Sequence, residues 1–387
     1  MEERKTEVAP KKALLDHNLS WPLTIVYLGY LVAMYFVQRL TYEKASIKIP
    51  QFPYYLSSIL GGIVITFLLY NIGKIIASKV AGYHISYIRL LGMRFDRVNG
   101  KLKFSYNILG FFGLALQFAP NDDDTEKNPL PIFLGGYIAE IVIAGAALAA
   151  FFVLSFNQAP SETNDLGWII FYAFAFGFIV PLYELLPFRQ DYPTDMVNIM
   201  WTNKKEEKVA FNVYQINQER ELNGKDFLAY EFESYDSFYK AHCIYPHYLQ
   251  CLYESKLERA YALLGDMKYY SKHFLDDERY IVPGEYIYLK YLINDVDGAS
   301  KAFFEMKRED RSGITRPEIL SFYRTGLLVL AYTNADHEKV NNLIKDFDET
   351  LASFPESSRR VEKEKLLFTN AYNKIRKEKK ELSLPER

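Results

Sequence analysis

Six polar or ionisable residues stand inside or beside long apolar runs, where such groups are costly and tend to carry function. Tyr70, Asn71 and Lys74 close one run, Glu140 lies within a second, and Glu184 ends a third with Asp195 just beyond it. Their chemistry is that of charge pairing in a poorly solvated place. The Lys74 ammonium can neutralise Asp195, Glu184 or Glu140, or it can extend along its aliphatic stem to the water interface. Two intramembrane carboxylates, Glu140 and Glu184, also admit a proton- or ion-carrying role. A second constellation is weaker. Cys243, His247 and Cys251 follow the i, i+4, i+8 spacing of a helical metal face. Pro246 interrupts it and no fourth ligand is near, so ordinary packing is the simpler reading. There is no Walker A sequence, no G-x-G-x-x-G and no nucleophile elbow.

The elements that must position these residues follow from the charge distribution. The chain has 387 residues and a formal net charge of −2, without the basic excess of a nucleic-acid binder. The first 200 residues hold 32 charged side chains and the remaining 187 hold 62, so a membrane-like half precedes a water-soluble one. Four apolar runs, 21–38, 54–77, 132–156 and 166–186, are long enough to span a bilayer. The charged residues 1–20 and the length of the first run do not read as a cleavable signal. Lys and Arg concentrate in the N-terminal tail and in the loop 78–131, and the segment 157–165 has none. Both termini are therefore expected on the cytosolic side. Within the loop 78–131, Met93–Val98 and Lys101–Tyr106 alternate about Asn99–Gly100, which predicts a β-hairpin over 93–106. The apolar stretch 108–118 is short for a span and reads as a membrane-associated strand or re-entrant segment.

This order of parts resembles the site-2 protease family of intramembrane zinc metallopeptidases. The resemblance covers roughly residues 55–200 and rests on order and spacing. Where that family has H-E-x-x-H, this chain reads Tyr70-Asn71-Ile72-Gly73-Lys74, followed by Gly82-Tyr83 and the hairpin. Gly136-Tyr137-Ile138-Ala139-Glu140 opens the third span, Glu184-Leu185-Leu186-Pro187 ends the fourth, and Thr194-Asp195-Met196 stands where the family has its aspartate and glycine. The resemblance implies a helical transmembrane core with a small membrane-associated sheet. By position, Tyr70 and Lys74 replace the zinc histidines and Asn71 replaces the catalytic glutamate. The aspartate ligand survives as Asp195, with Asp191 as the other register. Tyr is a poor zinc ligand, Asn cannot take a proton, and Lys puts a positive charge where the metal would sit. None of the six histidines falls in a predicted span. Zinc is therefore expected to be absent and the site catalytically inactive. The family's substrates are extended segments beside such a sheet, so the hairpin around Asn99 and Gly100 would present a peptide by strand addition.

Residues 201–376 are expected to be helical throughout, with a frayed charged tail at 377–387. Ala260 and Met267 recur as Ala299 and Met306, then as Val340 and Phe347, and the blocks 248–274, 285–306 and 320–351 read as helical hairpins. Stacked pairs of this kind suggest a short, loosely tetratricopeptide-like solenoid. Many of the 31 tyrosines lie here, as hairpin core or as the lining of a groove. Two cysteines in the cytosolic half exclude a disulfide scaffold.

The whole chain is thus expected to be a mainly α polytopic membrane protein: core 21–200, helical-repeat domain 201–376. It would sit in a bacterial cytoplasmic membrane and act without catalysis. It would bind a membrane-inserted or peptide partner at the core and a soluble protein or peptide at the repeats, scaffolding or regulating processing, export or immunity. A divergent active protease and a transporter subunit are the alternatives.

Overall fold

The computed structural model describes residues 52–90, 93–98, 100–106, 114–156, 193–274, 281–315, 317, 319–334, 337–353, 359–382 and 384, together with 25, 28–30, 32, 33, 36, 173 and 183–185. They are mainly helical, with one small antiparallel sheet. The chain divides into two compact units: Met1–Ile85 with Pro120–Val209, and Ser86–Ala119 with Ala210–Arg387.

The first unit is built on α1 (Phe52–Val80) and α2 (Leu130–Phe156), with the short α3 (Asp195–Thr202) packed against α2. Within them Leu60–Val80 and Leu130–Ala147 are long and apolar enough to cross a membrane. These two agree with the second and third predicted spans. Most of the first and fourth predicted spans lies outside the described residues.

Small residues let α1 and α2 meet backbone to backbone. A Cβ on Gly73 would lie 2.3 Å from the Gly135 carbonyl oxygen and 2.5 Å from Ala139 Cβ, and one on Gly135 would lie 2.4 Å from Ala77 Cβ. Gly62 approaches the Ala173 backbone as closely, with a virtual Cβ 2.0 Å from its carbonyl oxygen. The outer faces of both helices expose apolar side chains, among them Val64, Ile72 and Ile76 on α1 and Ile138, Ile141 and Val142 on α2.

Gly82, at φ +78°, turns the chain from α1 into the sheet. The strands are β1 (Tyr83–Leu90), β2 (Met93–Val98), β3 (Lys101–Tyr106) and β4 (Leu114–Pro120), in the order β3-β2-β1-β4. β2 and β3 pair antiparallel in the predicted register, from Met93 opposite Tyr106 to Val98 opposite Lys101. Gly100 takes the positive φ, +77°, that such a turn requires. Asn99 lies outside the described residues. Residues 114–118 of the stretch expected as a membrane-associated strand or re-entrant segment fall in β4, its residues 108–113 lie outside the described residues, and β1 is an unexpected fourth strand.

In the second unit, α4 (Lys205–Leu222) and α5 (Phe238–His242) lead into three hairpins. They are α6 (Ile244–Tyr253) with α7 (Leu257–Tyr269), α8 (Ile281–Leu292) with α9 (Val296–Glu305), and α11 (Leu320–Val329) with α12 (His337–Ser353). These match the predicted blocks. Ala260, Met267, Ala299, Val340 and Phe347 are all buried on the second helix of a pair, and Met306 packs against the same core. Two further helices lie outside the three blocks, in line with the expectation of helix throughout: α10 (Arg308–Thr315) between the second and third pairs, and α13 (Arg359–Glu378), which packs on α11. Phe347 and Phe368 stack with centroids 3.8 Å apart, tying α12 to α13.

Two expectations fail in this unit. Residues 225–237 are not helical. The buried Asn217 amide replaces the missing helical bonds by accepting from Leu228 N–H at 2.7 Å and donating to its carbonyl at 3.1 Å. The C-terminal segment is not simply a frayed tail either, because Leu382 and Leu384 are buried in the hydrophobic core. Its charge content hid two apolar anchors.

Candidate functional site

Tyr70 and Lys74 are four residues apart on α1 and therefore share one face. Asp195 is the first residue of α3, and its carboxylate, 3% exposed as a residue, meets that face. Lys74 Nζ donates to both Asp195 oxygens, at 2.9 and 2.8 Å, and Tyr70 OH donates to Oδ2 at 2.6 Å. One carboxylate thus accepts three short, charge-assisted hydrogen bonds. The Asp195 backbone N–H, one of the unpaired donors at a helix start, donates to Glu184 Oε2 at 2.8 Å. Glu184 therefore places a carboxylate at the N-terminus of α3, where the helix dipole favours it.

Glycine makes room for the phenol. A Cβ on Gly136 would lie 2.5 Å from the Tyr70 ring. Tyr137 then packs edge-on against that ring, with centroids 5.5 Å apart, and the Lys74 ammonium lies 5.7 Å from the Tyr70 centroid. Tyr137 has no assigned role in the sequence reading. Its place directly after Gly135-Gly136, at the closest approach of α1 and α2, is the signal that would have found it.

The cluster gathers Tyr70, Lys74, Glu184 and Asp195, and leaves two candidates out. Asn71 donates its amide to the Phe67 carbonyl at 2.7 Å, one turn back on its own helix. Glu140 is 1% exposed, and neither carboxylate oxygen has a hydrogen-bond partner among the described residues. Asp191 lies outside the described residues. Chemically, the cluster is a closed ion pair. The Asp195 carboxylate accepts from an ammonium and a phenol, and Glu184 accepts from the Asp195 N–H.

The Cys243, His247 and Cys251 triplet is core. Both thiols are free and buried, and Cys243 Sγ lies 3.7 Å from the Ala210 carbonyl oxygen. Burial pushes the Cys251 thiol up and the His247 imidazole down from their ordinary values. Among the described residues, no group of three or more His, Cys, Asp or Glu could hold a metal ion.

A second ionic cluster, unforeseen, lies inside the helical unit. Arg324 on α11 is fully buried. It contacts Glu285 of α8 at 2.7 and 2.9 Å and Glu364 of α13 at 2.8 Å, and its guanidinium carbon lies 4.1 Å from the Tyr288 centroid. Tyr248 OH donates to Glu285 at 2.6 Å, adding α6 to the network. Desolvation raises the Glu285 carboxyl, although Arg324 opposes the shift. Burial alone would lower Arg324, and the two carboxylates hold it well above its usual value. This network ties four helices together.

Neither family models, curated proteins nor solved structures yield a match to this chain.

Proposed function

We propose that this chain is an integral membrane protein with a site-2-protease-like core in which an internal ion pair stands in place of a metal centre. Its function would be to bind a membrane-inserted or extended peptide partner without cleaving it. The observation that carries this reading is the Lys74–Asp195 pair. By the resemblance, both residues occupy metal-ligand positions, and the ammonium sits against both oxygens of the one aspartate that could bind zinc. The residues present do not fit a catalytic zinc. A phenol, an amide and an ammonium replace two imidazoles and a carboxylate, and a dication would have to displace Lys74 from Asp195.

Membrane insertion is supported by the outward apolar faces of α1 and α2. Only 22% of the Leu60–Val80 window and 28% of the Leu130–Ala147 window are buried within the chain, whereas the core helix of a soluble protein would be mostly covered. The chain would then lie in a bacterial cytoplasmic membrane with both termini cytosolic. Peptide capture would use β3, an edge strand of the sheet, which exposes Lys103 and Phe104. Processing, export and immunity are all settings in which such a binder would act as scaffold or regulator.

The test is photocrosslinking in nanodiscs. A photoreactive residue at Lys103 is presented with single-span peptides whose juxtamembrane segment is either extended or helical. Adducts confined to the extended peptides are expected. Equal labelling of both, or labelling no stronger than from position Tyr269 in α7, would contradict strand capture.

A second reading, a transporter subunit, is favoured by one observation: the buried Glu140 carboxylate, which has no hydrogen-bond partner among the described residues. Under that reading Glu140→Gln abolishes an ion flux in vesicles while peptide binding survives. Under the binder reading there is no flux to lose.

A further inference from the structure

Strand addition draws its affinity from main-chain hydrogen bonds, which carry no preference for sequence. On β3 the side chains supply the preference. Successive residues of a strand point to opposite faces, so Lys101 and Lys103 share one face and Phe104 takes the other. The pairing with β2 agrees. Lys101 stands opposite Val98, Lys103 opposite Asp96, and Phe104 opposite Phe95, with the two rings 5.3 Å apart between centroids. Both lysines are exposed, and Phe104 is 61% exposed. All three are therefore open to a strand laid along the outer edge of β3.

Charge on this edge is one-sided. The hairpin 93–106 holds four cations, Arg94, Arg97, Lys101 and Lys103, and one carboxylate, Asp96. Asp96 is the cross-strand neighbour of Lys103, but both of its oxygens accept from Arg94 Nε, at 3.0 and 2.8 Å. The Arg94 guanidinium in turn lies 4.9 Å from the ring centroid of Tyr87 on β1, on the far side of β2 from β3. The one carboxylate of the hairpin is thus engaged away from the edge. Among the described residues no carboxylate pairs with Lys101 or Lys103. The residues that follow the hairpin, 107–113, have no charged side chain.

An added strand meets two ammonium groups two positions apart on one face and an aromatic ring on the other. Opposite charges and apolar pairs directly across from one another stabilise a sheet, and like charges destabilise it. We infer that β3 selects extended segments carrying two acidic residues, spaced i, i+2, across from Lys101 and Lys103, with an apolar residue across from Phe104. A partner that continues the antiparallel order of β1, β2 and β3 then reads apolar–acidic–any–acidic. This names the partner class for the strand capture proposed above and rests on that reading.

The test uses the full chain in nanodiscs of phosphatidylcholine, which has no net charge. Single-span peptides carry a photoreactive residue beside an extended juxtamembrane segment, Phe-Glu-Thr-Glu, Phe-Gln-Thr-Gln or Phe-Lys-Thr-Lys. Adducts on residues 101–106 are quantified by mass spectrometry. The glutamate segment is expected to label about tenfold more strongly than the lysine segment, with the glutamine segment between them. At about 1 M salt the preference should shrink, because exposed charges are screened. Lys101→Glu/Lys103→Glu should invert the order. Equal labelling by the three segments would overturn this inference and leave strand capture standing, as would a variant that fails to invert the order. Labelling by none of them would overturn both.

Discussion

The Lys74 ammonium lies within 2.9 Å of both carboxylate oxygens of Asp195, 121 residues later in the chain. The Lys74 and Asp195 side chains are 16% and 5% exposed, so water contributes little to either charge. Removing one partner of such a pair strands the other. Lys74→Met is therefore expected to lower stability by about 3–5 kcal/mol, whereas the double variant Lys74→Met/Asp195→Asn recovers most of that loss. Thermal unfolding in detergent, arranged as a double-mutant cycle, measures it. A single variant as stable as the parent would mean that the pair holds nothing together.

The packing of α1 on α2 has an internal control. Gly135→Ala would drive its methyl to 2.4 Å from Ala77 Cβ, whereas no described residue lies within 4 Å of a Cβ at Gly145 on the same helix. The first substitution should cost about 1–3 kcal/mol. The second should be neutral or slightly stabilising, as alanine is the better helix former. Unfolding midpoints of the two variants decide it, and equal effects would argue against a backbone-to-backbone contact.

Arg324 holds together four helices of the second unit. Arg324→Met leaves Glu285 and Glu364 buried with no cation between them, at an expected cost of about 3–5 kcal/mol. Because desolvation already raises the Glu285 carboxyl, Glu285→Gln should be milder than Arg324→Met. Chemical unfolding of the three proteins gives the order. A milder Arg324→Met would show that the Glu285 carboxyl is neutral in the native state.

His247 gives the helical unit a pH dependence of known sign. Burial lowers the native imidazole below its ordinary 6.5, so between those two values the unfolded chain binds a proton that the native state does not. Stability from this group is therefore present above pH 6.5 and is lost as pH falls toward the native value. The unfolding midpoint should drop between pH 7.5 and pH 5.5, and His247→Gln should flatten part of that slope. An unchanged slope in the variant would assign the dependence to other groups.

The β2–β3 hairpin was legible because two alternating strands flank a turn dipeptide, a signal contained in fourteen consecutive residues. The hairpins α6–α7, α8–α9 and α11–α12 were legible because apolar residues repeat at helical spacing. The features that sequence concealed are set by distant partners. Arg324 sits in an otherwise apolar and aromatic run, and its carboxylates lie 39 and 40 residues away. Strand β1 carries His84, Ser86 and Arg89 among its apolar residues and is completed only by its neighbours in the sheet. Leu382 and Leu384 were masked by the charges around them. In the candidate site, residue types alone suggested an ammonium–carboxylate pair. They could not say which carboxylate Lys74 would choose, nor that Tyr70 would donate to the same one and that Glu140 would stand apart.

The most direct test of the central claim is metal stoichiometry, by elemental analysis, on membrane-extracted protein prepared without chelators, with Asp195→Ala in parallel. The ion-pair account predicts no stoichiometric zinc in either protein, before or after zinc is added and washed away. Stoichiometric zinc in the parent, lost in Asp195→Ala, would contradict it. Asp195 would then be a metal ligand, and Lys74 would have to lie elsewhere.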